Sequence, residues 1–184
     1  MGENQGDHHE KHLAFLILLV LSTLPLAAGI LPFSQKDPAV DGIFGINEYP
    51  MEVQLNNMRI GYALSRDSRH LYFIQDAPTT GWVSIGLGSN RMHGAHIIIG
   101  FDAISNQVIR EDTGRGHGHS QSQRQMLVQS KIKETGGRTT MEFTVPASQF
   151  DSLRNLSLIA AYGSKDDLRS KHVSYDSHTI SFLR

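Results

Sequence analysis

The stretch GWVSIGLGSNRMHGAHIIIGFD, residues 81–102, decides the fold class because it holds two apolar runs joined by a short polar connection. Residues 82–87 follow a turn marked by Pro78 and Gly81, and residues 95–101 are almost entirely apolar. An apolar run with so little alternation is typical of a central strand that is covered on both faces. The stretch therefore predicts two strands, the second of them buried deep in a sheet.

Outside this stretch, short runs with a period of two are separated by turn residues, and no clean 3.6-residue period extends over ten residues. The clearest hairpin joins residues 126–134 to 139–145 through Thr135-Gly136-Gly137-Arg138. Further strands are predicted at 59–64, 70–75, 156–162 and 178–183. Strands at this spacing without crossover helices predict an all-β protein, an antiparallel immunoglobulin-like β-sandwich.

One polar segment interrupts this pattern. Residues 114–123 read GRGHGHSQSQ and contain no large apolar side chain, so we expect a mobile loop of the kind that often meets ligands. The adjacent acidic residues Glu111-Asp112 and Asp166-Asp167 are expected in solvated turns rather than as an acid/base pair.

The composition excludes several classes of function. A formal net charge of −1 argues against a dedicated binder of nucleic acid or anionic membranes. The absence of cysteine excludes disulfides, thiolate metal sites, iron–sulfur clusters and covalently attached haem. No G-x-S-x-G, P-loop, H-E-x-x-H or dinucleotide motif is present, so we do not expect an enzyme.

The N-terminal region predicts export. Residues 13–33 are uncharged and Leu-rich, and the small residues at 27–29 suit a cleavage site. The apolar run is also long enough to span a bilayer if it is not cleaved. We therefore predict a signal peptide or N-terminal membrane anchor at 1–33 and one domain at 34–184, secreted or periplasmic and possibly membrane-anchored.

Histidine and methionine supply the candidate ligands. Met92 lies in the polar connection between the two central strands, where a methionine would ordinarily fill space in a core. His172 precedes the last predicted strand, where a histidine would ordinarily be exposed. The other candidates are His93, His96, His117, His119 and His178.

Residues 81–102 resemble the central signature of DOMON domains, which is a Gly-Trp strand, a loop with Met-x-Gly-Ala and an apolar strand. Asp41-Gly42-Ile43 with Glu48-Tyr49 resembles the opening of bacterial members, and residues 158–163 (LIAAYG) resemble their C-terminal portion. The chain departs from many members in carrying His96 where they have Asp after Gly-Ala. The resemblance implies a β-sandwich that binds haem or a sugar.

In haem-binding members the iron is held by the Met of the central loop and a His before the last strand, and those positions fall on Met92 and His172. The resemblance thus implies noncovalent haem b with Met/His ligation, and electron transfer with a redox partner protein or a membrane electron-transfer chain. His178 is the rival second ligand. We favour His172 because His178 begins a predicted strand whose Ile180 and Phe182 pack inward.

Two alternatives stay open. One is a carbohydrate-binding module, although Trp82 is the only tryptophan and is expected to pack in the core. The other is a copper or other divalent-metal site in which His117 and His119 chelate together with His93 or His96.

Overall fold

The computed structural model describes residues 1, 36–103 and 106–182, so the predicted leader, apart from Met1, lies outside the described residues. Short extended segments alternate with turns throughout. Within the described ranges the strands, in chain order, are β1 (Met51–Leu55), β2 (Met58–Leu64), β3 (His70–Ala77), β4 (Val83–Leu87), β5 (His96–Ala103), β6 (Asn106–Arg115), β7 (Gly118–Gln121), β8 (Gln129–Thr135), β9 (Arg138–Pro146), β10 (Leu156–Gly163) and β11 (His172–Ile180). A 3-10 turn, Ala147–Gln149, follows β9.

The strands form two antiparallel sheets, as predicted. The five-stranded sheet has the order β1-β2-β3-β9-β8, and the six-stranded sheet has the order β11-β10-β4-β5-β6-β7. The described part of the chain contains no helix that is long and apolar enough to cross a membrane.

The main core lies between the two sheets and follows from the alternation of side chains along each strand. Phe73 and Phe143 of the five-stranded sheet stack with their ring centroids 5.3 Å apart. Ile98 and Leu158 of the six-stranded sheet are fully buried in the same cluster. Two smaller apolar clusters lie on the outer faces of the sandwich, one on each sheet.

The central stretch and the predicted hairpin are confirmed. β4 and β5 pair directly, with Ile85 opposite Ile98, and β5 has sheet neighbours on both sides. β8 and β9 pair through Thr135 opposite Arg138, with Gly136 and Gly137 between them.

The last strand differs from its prediction. β11 begins at His172 rather than at residue 178, so His172 and His178 belong to one strand. Three strands without an apolar signature were not predicted: β1, β6 and the four-residue β7. β6 and β7 were missed because most of their side chains are polar, and β1 because it is short and has only three apolar residues.

The expected loop at 114–123 is wrong in its central part. β7 folds back on β6 as a hairpin, with Arg115 opposite Gly118. The solvated turn expected for Glu111-Asp112 is also wrong, since both side chains are buried on opposite faces of β6. Strand alternation sends neighbouring residues to different faces, and each carboxylate finds its own partners.

Candidate ligand-binding site

The outer face of the six-stranded sheet has an apolar floor. On β5, Ile98 points into the main core, while Ile97 and Ile99 on either side of it point outward. Trp82 packs with these two isoleucines, and Ile159 of β10 contacts the same cluster. The near-continuous apolar run of β5 is therefore explained by two separate apolar surfaces, of which the outer one is a ligand-sized platform.

A cavity of about 1060 Å³ opens over this platform. Cofactor and small-molecule cavities ordinarily measure about 300–1,000 Å³, so this one is large. Met92 and His172 both line it, together with Trp82 and Tyr175. Two residues that are far apart in the sequence thus share one cavity, as the ligand hypothesis requires.

The loop between β4 and β5 holds Met92 at the cavity wall. Gly94 turns the chain with φ +84°, and its N–H donates to the carbonyl of Gly114 at 3.1 Å. The N–H of Ala95 donates to the carbonyl of Met92, also at 3.1 Å. A Cβ atom on Gly114 would lie 1.8 Å from that carbonyl oxygen, so only glycine allows β6 to approach the loop this closely.

A β-bulge sets the direction of His172. Ser174 lies opposite Tyr162, but His172 lies opposite Gly163, so Val173 is the extra residue. A bulge reverses the alternation of faces, so side chains on its two sides no longer follow one regular pattern. His172 thereby lies on the cavity side with Tyr175, the two ring centroids being 4.7 Å apart. Without the bulge, alternation would place it on the other face with Ser174.

Trp82 secures the segment that leads into His172. Its indole Nε1 donates to Ser170 Oγ at 2.9 Å, and that hydroxyl donates to the Asp167 carbonyl at 2.7 Å. The expectation that Trp82 packs in the core is only half right. It is 5 % exposed, but it belongs to the outer cluster and lines the cavity.

The other candidate histidines divide into separate environments. His178 is exposed, lies opposite Leu158 and does not line the cavity. His96 bonds Glu111 at 2.7 Å on the inner side of the sheet. His93 is exposed, and its Nδ1 accepts from the Gly116 N–H at 3.1 Å. His117 and His119 line the cavity, His117 being exposed.

The histidines do not assemble into a metal centre of their own. Within residues 36–103 and 106–182, no group of three or more His, Asp or Glu side chains is arranged to hold a metal ion. His119 is instead engaged by Asp112, its Nδ1 lying 2.5 Å from Oδ2. The observed grouping therefore does not match the alternative of a copper or other divalent-metal site, in which His117 and His119 would chelate with His93 or His96.

Asp112 is a buried carboxylate on β6 that lies behind two residues of the cavity wall, Arg110 and His119. Its carboxylate accepts from Arg110 Nε at 2.8 Å and from Arg110 Nη2 at 2.7 Å, in addition to its bond with His119. Burial alone would raise the pKa of Asp112, but the hydrogen bonds from Arg110 and His119 lower it below its usual value. Sequence reasoning missed this group, although Arg110 and Asp112 stand two residues apart and so share a strand face.

The charged residues around the cavity are mostly basic. Asp176 is the only carboxylate that lines it among the described residues. The cationic lining residues are Arg91, Arg110, Arg169 and Lys171. The arrangement defines a β-sandwich domain with a large cavity on one outer face, apolar at its floor and basic around it.

Comparison with known proteins agrees with this class. The structure is similar to the cytochrome b domain of pyranose dehydrogenase from Coprinopsis cinerea, with 13% identity and a TM-score of 0.52, over 67% of this chain and 75% of that one. It is also similar to the cytochrome domain of Myriococcum thermophilum cellobiose dehydrogenase, with 12% identity and a TM-score of 0.52, over 71% and 80%. At these identities the similarity concerns the fold. No curated protein sequence matches the chain.

The family profile described as DOMON domain matches residues 54–161, more than half of the chain. The chain therefore belongs to the DOMON domain family, and its two antiparallel sheets are the β-sandwich predicted for it.

Proposed function

We propose that this protein binds haem b noncovalently in the cavity, with Met92 and His172 as the axial ligands of the iron. The observation that carries the proposal is that a thioether and an imidazole line the same cavity although 79 residues separate them in the chain. The two side chains come from different ends of the sheet and are positioned by separate devices, the glycine-dependent loop and the β-bulge.

The chemistry of the cavity walls fits haem. A porphyrin needs a broad apolar surface, and the platform of Trp82, Ile97, Ile99 and Ile159 supplies one. Its carboxylates need cationic partners, which the basic lining supplies. The chain has no cysteine, so the attachment would be noncovalent. The similarity to two cytochrome domains supports the same reading.

The ligand pair indicates electron transfer rather than catalysis. Haem iron with Met and His axial ligands supplies a one-electron couple with a raised potential. The chain's contribution is to hold both ligands and to exclude water with the apolar floor. With Met92 and His172 holding the iron, the protein would carry electrons and exchange them with a redox partner protein or a membrane electron-transfer chain outside the cytoplasm.

The test is the absorption spectrum of the protein reconstituted with haemin, in the oxidised and the reduced state. We expect the wild-type protein to shift the Soret band and to show a low-spin spectrum. Met92→Ala and His172→Ala should each abolish the low-spin spectrum. Met92→His should keep it but lower the reduction potential, because a Met ligand raises the potential.

His178→Ala is the matched control, since His178 lies on the same strand as His172 but is exposed and away from the cavity. It should leave the spectrum unchanged, as should His117→Ala. A wild-type protein that produces no Soret shift would contradict haem binding and favour the carbohydrate-binding alternative. A low-spin spectrum that survives Met92→Ala would show that another residue ligates the iron.

A further inference from the structure

Arg110, one of the cations on the cavity wall, is held in a fixed orientation by Asp112. Arg110 places both Nε and Nη2 on the two oxygens of Asp112, and the Asp112 side chain is fully buried. A bidentate pair of this kind restricts the guanidinium to one orientation. His119 occupies the same carboxylate through Nδ1, so three side chains form one cluster on the outer face of β6 and β7.

The cluster retains unused donors that are available to a ligand. A guanidinium carries five N–H groups, and Asp112 uses two of them. Arg110 lines the cavity, and its side chain is 37% exposed. One carboxylate serves two basic side chains, so its single negative charge is shared between Arg110 and His119.

The position of the cluster makes the cavity asymmetric. Arg110 lies opposite Ile99, which lies opposite Ser84, which lies opposite Ala161. The next position along this row is Tyr175 on β11. The row therefore runs from an aromatic edge, over small and apolar side chains, to a fixed cation. The carboxylate that lines the cavity, Asp176, is on β11 at the opposite side of the sheet.

We propose that Arg110, held by Asp112, binds a carboxylate of the cavity's ligand and so selects a flat apolar molecule that carries an acidic group at one edge. This inference rests on the proposed function in that the ligand there is a porphyrin, whose carboxylates would meet Arg110. Asp112 acts as a positioning residue, and His119 completes its hydrogen bonding.

The test uses iron-free protoporphyrin IX and its dimethyl ester, titrated by fluorescence against the full-length protein. The two probes share the same ring and differ in the charge of their carboxyl groups. We expect the wild-type protein to bind the diacid at least about tenfold more tightly, as a charge-assisted hydrogen bond allows. Arg110→Met should remove most of this preference while leaving the affinity for the ester unchanged, since Arg91, Arg169 and Lys171 also line the cavity.

Arg138→Met is the matched control, because Arg138 forms a similar pair with Asp76 on the other sheet at 2.8 Å and with similar exposure. It should keep the preference for the diacid. Arg110→Lys preserves the charge but not the fork, so it should retain part of the preference; thermal unfolding checks that both Arg110 variants are folded. Asp112→Asn should reduce the preference although Arg110 is still present.

Equal wild-type binding of the diacid and the ester would overturn this inference and leave haem binding intact. So would a folded Arg110→Met protein that keeps the preference. An Arg110-dependent preference for the diacid, together with a haemin spectrum that does not depend on Met92 or His172, would support this inference and contradict the proposed axial ligands. Failure of the wild-type protein to bind either porphyrin would overturn this inference, and only a failure to shift the Soret band of haemin as well would overturn haem binding.

Discussion

The two outer faces of the sandwich each hold a buried carboxylate, but the hydrogen-bond donors to the two carboxylates come from different parts of the fold. Each bears a small apolar cluster and one buried carboxylate on an outward-facing strand position, Glu142 on β9 and Asp112 on β6. Glu142 accepts from the N–H groups of Asp41 and Gly42 at 2.8 Å each and from Tyr49 Oη at 2.6 Å. Asp112 accepts from Arg110 and His119, which belong to its own sheet.

The difference lies in where the donors come from. The donors to Glu142 belong to the segment before β1, so that segment is drawn across the five-stranded sheet and covers its face. The donors to Asp112 lie in the sheet itself, so no segment is needed and the face stays open as a cavity. A buried carboxylate must be hydrogen-bonded in either case. The origin of its partners decides whether the face is covered by another segment or stays open as a cavity.

The largest effect is expected when Glu142 is removed. Glu142→Ala leaves two buried donors, Gly42 N–H and Tyr49 Oη, and the part-buried Asp41 N–H without their acceptor, and each buried donor left unpaired costs about 1–3 kcal/mol. We expect the free energy of unfolding to fall by about 3 kcal/mol or more in denaturant titrations. Tyr49→Phe loses one of the three bonds and should cost about 1 kcal/mol. Ligand binding at the opposite face should not change in either folded variant, and a large loss there would contradict the independence of the two faces.

A smaller effect is expected on the open face. Gly114→Ala forces a methyl group onto the Met92 carbonyl, and overpacking of this kind costs about 1–3 kcal/mol. The loop that carries Met92 must shift, so haemin affinity and the Met-dependent spectrum should both weaken. Gly118→Ala is the matched control, since the nearest atom to its Cβ would be 3.9 Å away. Unchanged ligation in Gly114→Ala would show that this contact does not position Met92.

The third effect involves a single proton on Glu142. Burial raises the pKa of Glu142 to about 7, against the opposing hydrogen bonds from Tyr49, Gly42 and Asp41. In the unfolded chain the carboxyl has its ordinary pKa near 4.5. Between these values the folded state binds the proton more strongly, so the free energy of unfolding should decrease as the pH rises from about 4.5 to about 7. Glu142→Gln should flatten this part of the stability curve; a wild-type stability that increases over the same window would contradict the assignment.

Much of the sandwich could be predicted from the sequence, because most of its strands are marked by short runs of apolar residues. The runs that became β4, β5, β9 and β10 each bury apolar side chains in the main core. β7 could not be found in this way, since its sequence GHSQ has no apolar residue and its pairing with β6 is made by the backbone. Arg110 and Asp112 were missed for the same reason, because they lie in a polar strand and form a cluster only through their contacts with each other and with His119.

The candidate site was predictable in its residue types but not in its arrangement. Met92 and His172 were named from a resemblance, and the structure places both at one cavity; their ligation of iron stays a prediction. His172 was favoured over His178 on the prediction that the last strand begins at residue 178. The strand begins at residue 172 instead, so it contains both histidines. Both histidines have even numbers, and regular alternation would have placed them on the same face.

The sequence by itself determined that the chain forms β-strands and that any haem would be held without a covalent bond, because strand periodicity and the absence of cysteine are local facts. Only the tertiary structure decided which side chains meet. The bulge at Val173 moves His172 to the cavity side, and the register of β5, β6 and β7 assembles Ile99, Arg110 and His119 into its wall. The physical reason is that a shift of one residue against a neighbouring strand moves a side chain to the opposite face, and the neighbour is known only when the fold is complete.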